Sequence, residues 1–428
     1  MTSPLPGAPP RPSRLRFSSN ARRLLWIDRC VGVPVCMLLT GFRRLSDLFS
    51  SRPEPGIPTR ILFLKLAEQG STVLACGAIQ EAVSLVGRER VYFLAFEENR
   101  FVLDILGLIP EENVLTIRTR SPVSMMASCL SRLRQIRRLG IDSCIDMEFF
   151  ARSSAVIAWL SGAKRRVGFH SYFREGPYRG DLFTHRVLYN PHLHTSRTFT
   201  SLVRALEGDP RILPTFPWVP GPPGALPAFR PEDAEVSAMR MLFREMGVSE
   251  GGRVVLLNAN ASDLLPLRKW DVLNYVDLAR RILAGFADSF VGFTGTAEEA
   301  PEVERLVREV GSPRCFCIAG RTTMRELLVA YGLAEVLVTN DSGPAHFAAL
   351  TRIDVVSLFG PETPLLFGAP GPRSHPLWAG LACSPCVNAF NNRQTACRDN
   401  VCMKWITVDQ VFSEVTRIYA GRTAKPGL

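Results

Sequence analysis

From residue 60 onward the chain alternates short unbroken apolar runs with longer segments whose apolar positions recur every three or four residues. RILFLKL (60–66), RVYFLAF (90–96), NVLTIRT (113–119) and SCIDMEFF (143–150) read as strands buried on both faces, and 71–87, 99–108, 123–139 and 151–163 have the period of amphipathic helices. Strands and helices interleaved in this way predict a parallel sheet covered on both sides. Eight prolines between 210 and 231 exclude a helix or central strand there. The alternation then restarts, with strands at 254–260, 289–295, 315–320, 335–341 and 355–360, helices at 270–286, 298–310, 323–332 and 343–350, and a closing helix at 407–420. The pattern predicts two doubly wound α/β domains, 60–209 and 232–428, joined by the linker 210–231. Ligands of such sheets bind at the carboxyl ends of the strands, so a cleft between the two domains is the expected site.

The first 59 residues break the pattern. Residues 1–20 are rich in Pro, Ser and Arg and read as a disordered tail, and the apolar run 30–42 (CVGVPVCMLLTGF) lies between Arg29 and Arg43-Arg44. At ~1.5 Å per residue that run is shorter as a helix than the ~30 Å hydrocarbon core, and the arginines after it do not suit a cleavage site. The expectation is an amphipathic interfacial segment, with Trp26, Ile27, Val31, Met37, Leu38 and Leu39 towards lipid and Arg22, Arg23, Arg29, Arg43 and Arg44 towards anionic headgroups. Such a helix packed on the protein's own body is the plainer alternative.

Charge sharpens this picture. The 428 residues carry a formal +11, of which residues 1–60 hold +7 and the rest only +4. A nearly neutral body without a reading motif argues against nucleic acid as partner, and the basic arm points to an anionic membrane surface. Eleven cysteines, several inside apolar segments, fit a reducing, cytoplasmic compartment.

Candidate chemistry concentrates where strands end. In EVLVTNDSGPAHFAALT (335–351) a strand runs into Asn340-Asp341-Ser342-Gly343-Pro344, where a helix begins. Asp341 or Ser342 suits its cap, Pro344 its first turn, Gly343 the close approach of a ligand, and His346 lies one turn in. Together these residues form a place for a departing diphosphate. Asn258 belongs to the polar end of the strand at 254–260, and Arg268 and Lys269 lie in the loop after it, Arg268 as a bidentate donor. Thr294 stands at the end of the strand at 289–295, and Glu298, just beyond it, suits an acceptor from ribose hydroxyls. No Asp-x-Asp occurs, so diphosphate binding through a metal held by that pair is not expected, and leaving-group charge falls to the helix start, His346 and Arg268. Arg174, in the Arg- and aromatic-rich loop 170–186, suits an anionic acceptor. Cys383, Cys386, Cys397 and Cys402 have a spacing compatible with structural zinc, with buried free thiols or with disulfides.

These segments resemble the heptosyltransferases of glycosyltransferase family 9, from about 60 to 420. The resemblance is carried by Asn340-Asp341-Ser342-Gly343-Pro344-Ala345-His346, Phe359-Gly360-Pro361, Arg166-Val167-Gly168-Phe169 and the late Cys cluster with Ile406-Thr407-Val408-Asp409. It implies two Rossmann-like domains facing a cleft (the GT-B type), inverting transfer of a sugar from a nucleotide-sugar donor to a lipopolysaccharide or lipid-linked acceptor, and a place on the cytoplasmic face of the inner membrane. It also implies donor contacts from Arg268, Asp341, Ser342, Gly343 and His346, and makes Arg166 an acceptor candidate beside Arg174. One departure stands out. The family has Gly-Asp at the first strand-to-helix turn, the Asp deprotonating the acceptor; here the turn reads Leu66-Ala67-Glu68-Gln69-Gly70-Ser71-Thr72, with Ser71 in that place. A hydroxyl is no base unaided, so Glu68 and Glu148 become the candidates. A scaffold protein that kept the fold and lost the base is the rival reading.

Overall fold

In the computed structural model, which describes residues 28–47, 57–261 and 265–421, each apolar run becomes a strand whose alternate side chains enter different cores. In the N-terminal half β1 (Ile61–Leu64), β2 (Val91–Phe96), β3 (Val114–Ile117), β4 (Ser143–Asp146), β5 (Arg165–Phe169) and β6 (His185–Val187) form one parallel sheet in the order β3-β2-β1-β4-β5-β6. Ile61 and Phe63 pack with Ala78, Ile79 and Ala82 of helix Cys76–Val86 and with Phe199 and Leu202 of helix Thr195–Arg204. Leu62 and Leu64 face the other way, onto helices Val33–Asp47, Pro122–Arg138 and Arg152–Leu160.

The C-terminal half repeats the plan. Strands β7 (Arg253–Asn258), β8 (Ser289–Phe293), β9 (Cys315–Cys317), β10 (Val336–Asn340), β11 (Asp354–Phe359) and β12 (Ser374–Trp378) lie parallel in the order β12-β11-β10-β7-β8-β9. Numbered within each half, the two orders are the same, and the direction of winding reverses between β1 and β4 and between β7 and β10. Those switch points are where a doubly wound sheet opens a ligand crevice.

The two halves are packed against each other. Phe359, Leu366 and Phe367 join the core of the N-terminal sheet, and Val73, Cys76, Val102 and Leu106 join a core of the C-terminal one. Residues 210–231 carry no helix or strand and touch both halves: Ala225 O accepts from Gln80 Nε2 at 3.0 Å, and Phe229 N–H donates to Leu350 O at 2.8 Å.

Several elements differ from the sequence pattern. The expected helix 71–87 is two helices, Gln69–Leu74 and Cys76–Val86, meeting at Ala75. β6 and β12 are too short or too polar to stand out as apolar runs, and the amphipathic helices Thr195–Arg204 and Asp233–Glu245 flank the proline-rich stretch unannounced.

Of the basic arm, residues 28–47 are described; Arg22, Arg23, Trp26 and Ile27 lie outside the described residues. A turn at Asp28–Gly32 leads into helix Val33–Asp47, which accommodates Pro34 because its first turn needs no N–H there. The helix docks on the body: Thr40 Oγ1 accepts from Asp181 N–H at 2.9 Å, and Arg43 Nη2 pairs with Asp181 Oδ2 at 2.5 Å. Gly180, with φ 73°, lies beneath it, where a Cβ would sit 2.9 Å from Cys36 O. The opposite face exposes Val31, Met37, Leu38, Phe42 and Leu45 beside Arg44. No helix among the described residues is long and apolar enough to cross a membrane.

Candidate active site

Both switch points open into the same space. Lys65, immediately after β1, is fully buried, with its ammonium 2.9 Å from Glu148 Oε2 and 3.3 Å from Glu68 Oε2. Burial lowers its pKa, and the Glu148 carboxylate opposes that shift. Glu148 is heavily committed, because its Oε1 also accepts from Leu66 N–H at 2.7 Å and Ala67 N–H at 3.1 Å. Its own place is set by Asp146 at the end of β4, whose Oδ1 accepts from Glu148 N–H at 2.9 Å and whose Oδ2 takes the Ser154 hydroxyl at 2.8 Å and pairs with buried Arg179.

Glu68 has a left-handed backbone (φ 65°), uncommon for its type. This conformation brings Glu68 Oε2 to 3.3 Å from Ser71 Oγ, while Oε1 pairs with Arg393 of the C-terminal half. A carboxylate therefore stands beside the serine, supplied from three positions upstream.

On the C-terminal side Asn340, the last residue of β10, ties two loops together. Its Oδ1 accepts from Trp270 N–H at 2.9 Å, and its Nδ2 donates to the carbonyls of Ala259 at 3.1 Å and Asn260 at 3.2 Å. Asp341 follows, buried. Arg268 Nη1 donates to Asp341 O at 3.2 Å, and the same guanidinium lies 3.8 Å from Asp341 Oδ2 and 3.4 Å from Glu362 Oε2. Burial pushes both carboxyls up, Glu362 to about 8, and the Arg268 guanidinium opposes the shift.

Ser342 begins the short helix Gly343–Ala348, but its hydroxyl bonds back to Asn340 O at 3.1 Å, so no side chain caps the helix. His346 is buried. Burial, reinforced by His194 and Arg268, lowers its pKa to about 4, which leaves the ring neutral at neutral pH. Asp341 Oδ2, His346 Nδ1 and Arg268 Nε have no hydrogen-bond partner although buried. The two halves meet here without side-chain padding: a Cβ on Gly70 would lie 2.6 Å from His346 Cδ2 and 3.4 Å from Gly343 Cα.

Arg393 bridges the halves from the loop after β12. Besides pairing with Glu68, its Nε lies 3.3 Å from Glu362 Oε1, and burial lowers its pKa to about 10.

The fold thus gathers Glu68, Ser71 and Glu148 on one wall and Arg268, Asp341, Ser342, Gly343 and His346 on the other. Asn258 and Thr294 form a separate buried pair at the ends of β7 and β8, with Nδ2 to Oγ1 at 3.0 Å. Glu298 is exposed, and it is Glu299 that accepts from Thr296 N–H, at 2.8 Å. Lys269 is half-buried, its carbonyl taking Asn400 Nδ2 at 2.8 Å. Arg166 is not brought to the cleft: it sits opposite Cys144, below the carboxyl edge of the sheet, and donates to the carbonyls of Leu182 at 2.8 Å and Ala163 at 2.5 Å. Arg174 is exposed at the rim.

The four late cysteines share one neighbourhood. Cys402 is pushed up to about 11 by burial, with Cys386, Cys397 and Cys383 adding to the effect. Among the described residues no group of three His, Cys, Asp or Glu side chains that could hold a metal ion is brought together, and the four cysteines carry no disulfide. Sequence reasoning passed over Lys65, Glu362 and Arg393. Lys65 had a signal, a lysine inside an apolar strand, whereas Arg393 had none.

The model of glycosyltransferase family 9 (heptosyltransferase) matches residues 130–396. A 147-residue stretch is 26% identical to lipooligosaccharide heptosyltransferase 2 of Haemophilus influenzae, covering 32% of this chain and 42% of that protein. Over 186 residues the chain is 24% identical to lipooligosaccharide heptosyltransferase 2 of Campylobacter jejuni, covering 42% of this chain and 56% of that one. The chain therefore spans about half the length of the curated relatives it matches. Among solved structures, ADP-heptose lipopolysaccharide heptosyltransferase II of Escherichia coli superposes with a TM-score of 0.63 at 17% identity, over 85% of this chain and 99% of that one. The family 9 glycosyltransferase of Veillonella parvula gives 0.63 at 15% identity, over 87% and 100%. At these identities the likeness is one of fold: two parallel-sheet domains of the GT-B type.

Proposed function

The chain belongs to glycosyltransferase family 9, the heptosyltransferases, and on that premise we propose that it transfers a heptose-like sugar from an ADP-sugar or related nucleotide sugar to a lipopolysaccharide-core or lipid-linked acceptor, with inversion and without a catalytic metal. The observation that carries this reading is the Glu68 carboxylate beside Ser71, on the wall that meets Gly343 and His346. Glu68 takes the proton of the acceptor hydroxyl, the hydroxyl oxygen forms the new bond to the anomeric carbon, and the bond to the diphosphate breaks with its electron pair leaving on the nucleotide. Arg268, the single N–H of Gly343 and the neutral His346 ring meet that departing charge. Glu148 holds the loop through Lys65, Leu66 and Ala67 rather than reacting. A carboxylate at this position speaks against a scaffold that has lost its base.

Donor contacts extend in this reading to Asn258, Lys269, Thr294 and Glu298, and Arg174 faces the acceptor. The exposed apolar face of helix Val33–Asp47, with Arg44 beside it, supports peripheral attachment to the anionic cytoplasmic face of the inner membrane. The test is ADP release when purified full-length protein meets ADP-heptose and a heptose-deficient lipopolysaccharide core. Release that depends on the acceptor and persists in a chelator is expected; donor binding without any transfer would favour the scaffold.

A further inference from the structure

Glu68, the proposed base, is not open to an acceptor in this structure. Ser71 and Lys65 hold its Oε2, both at 3.3 Å, so Oε1 is the oxygen left for an acceptor hydroxyl. The Arg393 guanidinium covers that oxygen. A general base must stand within hydrogen-bond reach of the proton it takes, and an arginine bonded there keeps the hydroxyl out.

Arg393 is presented by a loop, 379–400, without helix or strand. Both halves anchor this loop. Phe390 packs on Phe150 and Tyr189 of the N-terminal half, ring centroids 5.9 and 5.2 Å away, and Val387 packs with Leu265 and Leu267 of the C-terminal half. At the tip Asn388 Oδ1 accepts from Phe390 N–H at 3.0 Å and Asn391 N–H at 3.1 Å. Asn392 and Arg393 follow with left-handed backbones (φ 51° and 54°), two strained positions in succession. The loop therefore fixes where the Arg393 side chain starts, and the side chain is the part that can move.

The claims on that side chain are weak. Glu68 and Arg393 are 30% and 26% exposed, and an ion pair so open to water contributes little. Glu362 Oε1 lies 3.3 Å from Arg393 Nε but makes no hydrogen bond, and burial pushes its carboxyl up to about 8, so it holds its charge poorly. Glu362 Oε2 lies 3.4 Å from Arg268 Nη2. One carboxyl thus separates Arg393 from the guanidinium assigned to the donor. A diphosphate carries more charge than Glu68 and offers oxygen pairs that match the arginine fork.

We propose that Arg393 is a switch between the two walls: it covers Glu68 while the donor site is empty, and turns to the donor's diphosphate beside Arg268 when the site fills, uncovering the base. The inference rests on the glycosyltransferase reading and deepens it. Arg393 acts on the chemistry through Glu68 and is a positioning residue, and the base opens only when a sugar is present to receive the acceptor oxygen.

The test is calorimetric titration of the full chain with ADP and with a delipidated heptose-deficient core oligosaccharide, each alone and each in the presence of the other. In wild type ADP is expected to tighten the core about tenfold, the scale of one charge-assisted hydrogen bond, and the core to tighten ADP by the same factor. Arg393→Gln is expected to bind the core without ADP as tightly as wild type does with it, while binding ADP about tenfold more weakly. Arg393→Lys keeps the charge and is expected to recover a coupling of about threefold. Loss of a mere clamp between the halves would weaken both ligands together, so the opposite signs are diagnostic. If wild type binds both ligands and transfers the sugar with no coupling between them, the switch falls and the glycosyltransferase reading stands. That arm needs no variant and decides the matter even where Arg393→Gln does not fold. If Arg393→Gln binds the core weakly with and without ADP, or binds ADP as wild type does, the switch falls too. Failure of ADP and the core to bind wild type at all overturns both.

Discussion

Glu148 and Lys65 form a buried ion pair, and removing Glu148 leaves the Lys65 ammonium only the more distant Glu68 carboxylate. Glu148→Gln is expected to lower stability by about 3 kcal/mol, read by chemical denaturation, and Lys65→Met in the same chain to recover part of it. His346 gives a pH dependence of definite sign. The unfolded chain takes up a proton on this ring near its ordinary value, whereas the folded chain resists until about 4. Stability contributed by the neutral ring is therefore present above pH ~6.5 and lost as the pH falls towards 4, at about 1.4 kcal/mol per pH unit. His346→Asn is expected to flatten the pH dependence of the unfolding free energy near pH 5 by about that slope; an unchanged slope would refute the burial argument. At this scale the sequence reveals residue types at strand ends, which is how Asp341, His346, Arg268 and Glu68 could be picked out. It does not reveal which carboxylate stands beside Ser71. That depends on Glu148 being claimed by two backbone N–H groups and on a left-handed turn at Glu68, neither of which leaves a mark on composition or period.

Elements were legible in proportion to their apolar content. β1, β2, β7, β8, β10 and β11 are nearly continuous apolar runs because both faces of each strand are covered. β12 is only partly buried, and a strand of that kind has no such signature. Helix Val33–Asp47 bears out the plainer reading of the arm, since Cys36 and Thr40 face the body, while Leu38 and Phe42 on its other side are exposed. Leu38→Glu combined with Phe42→Glu is expected to cut binding to phosphatidylglycerol vesicles at least tenfold while ADP binding stays constant, with co-sedimentation as the check. Unchanged sedimentation would leave that face without a membrane role.

At the scale of the molecule, two copies of one sheet plan share cores across their seam, and Arg393, Glu68 and Glu362 join them with charge. Phe367 packs edge-on against Phe149 of the other half, ring centroids 6.4 Å apart. Phe367→Ala is expected to cost about 3 to 5 kcal/mol and to split a single calorimetric transition into two as the halves uncouple. In the space between those halves Glu68 is the base we propose. That role is tested most directly by the turnover number of Glu68→Gln with ADP-heptose and a heptose-deficient core at saturating donor. The account predicts a fall of about a hundredfold or more with donor affinity within twofold of wild type. A turnover number within threefold of wild type would contradict it.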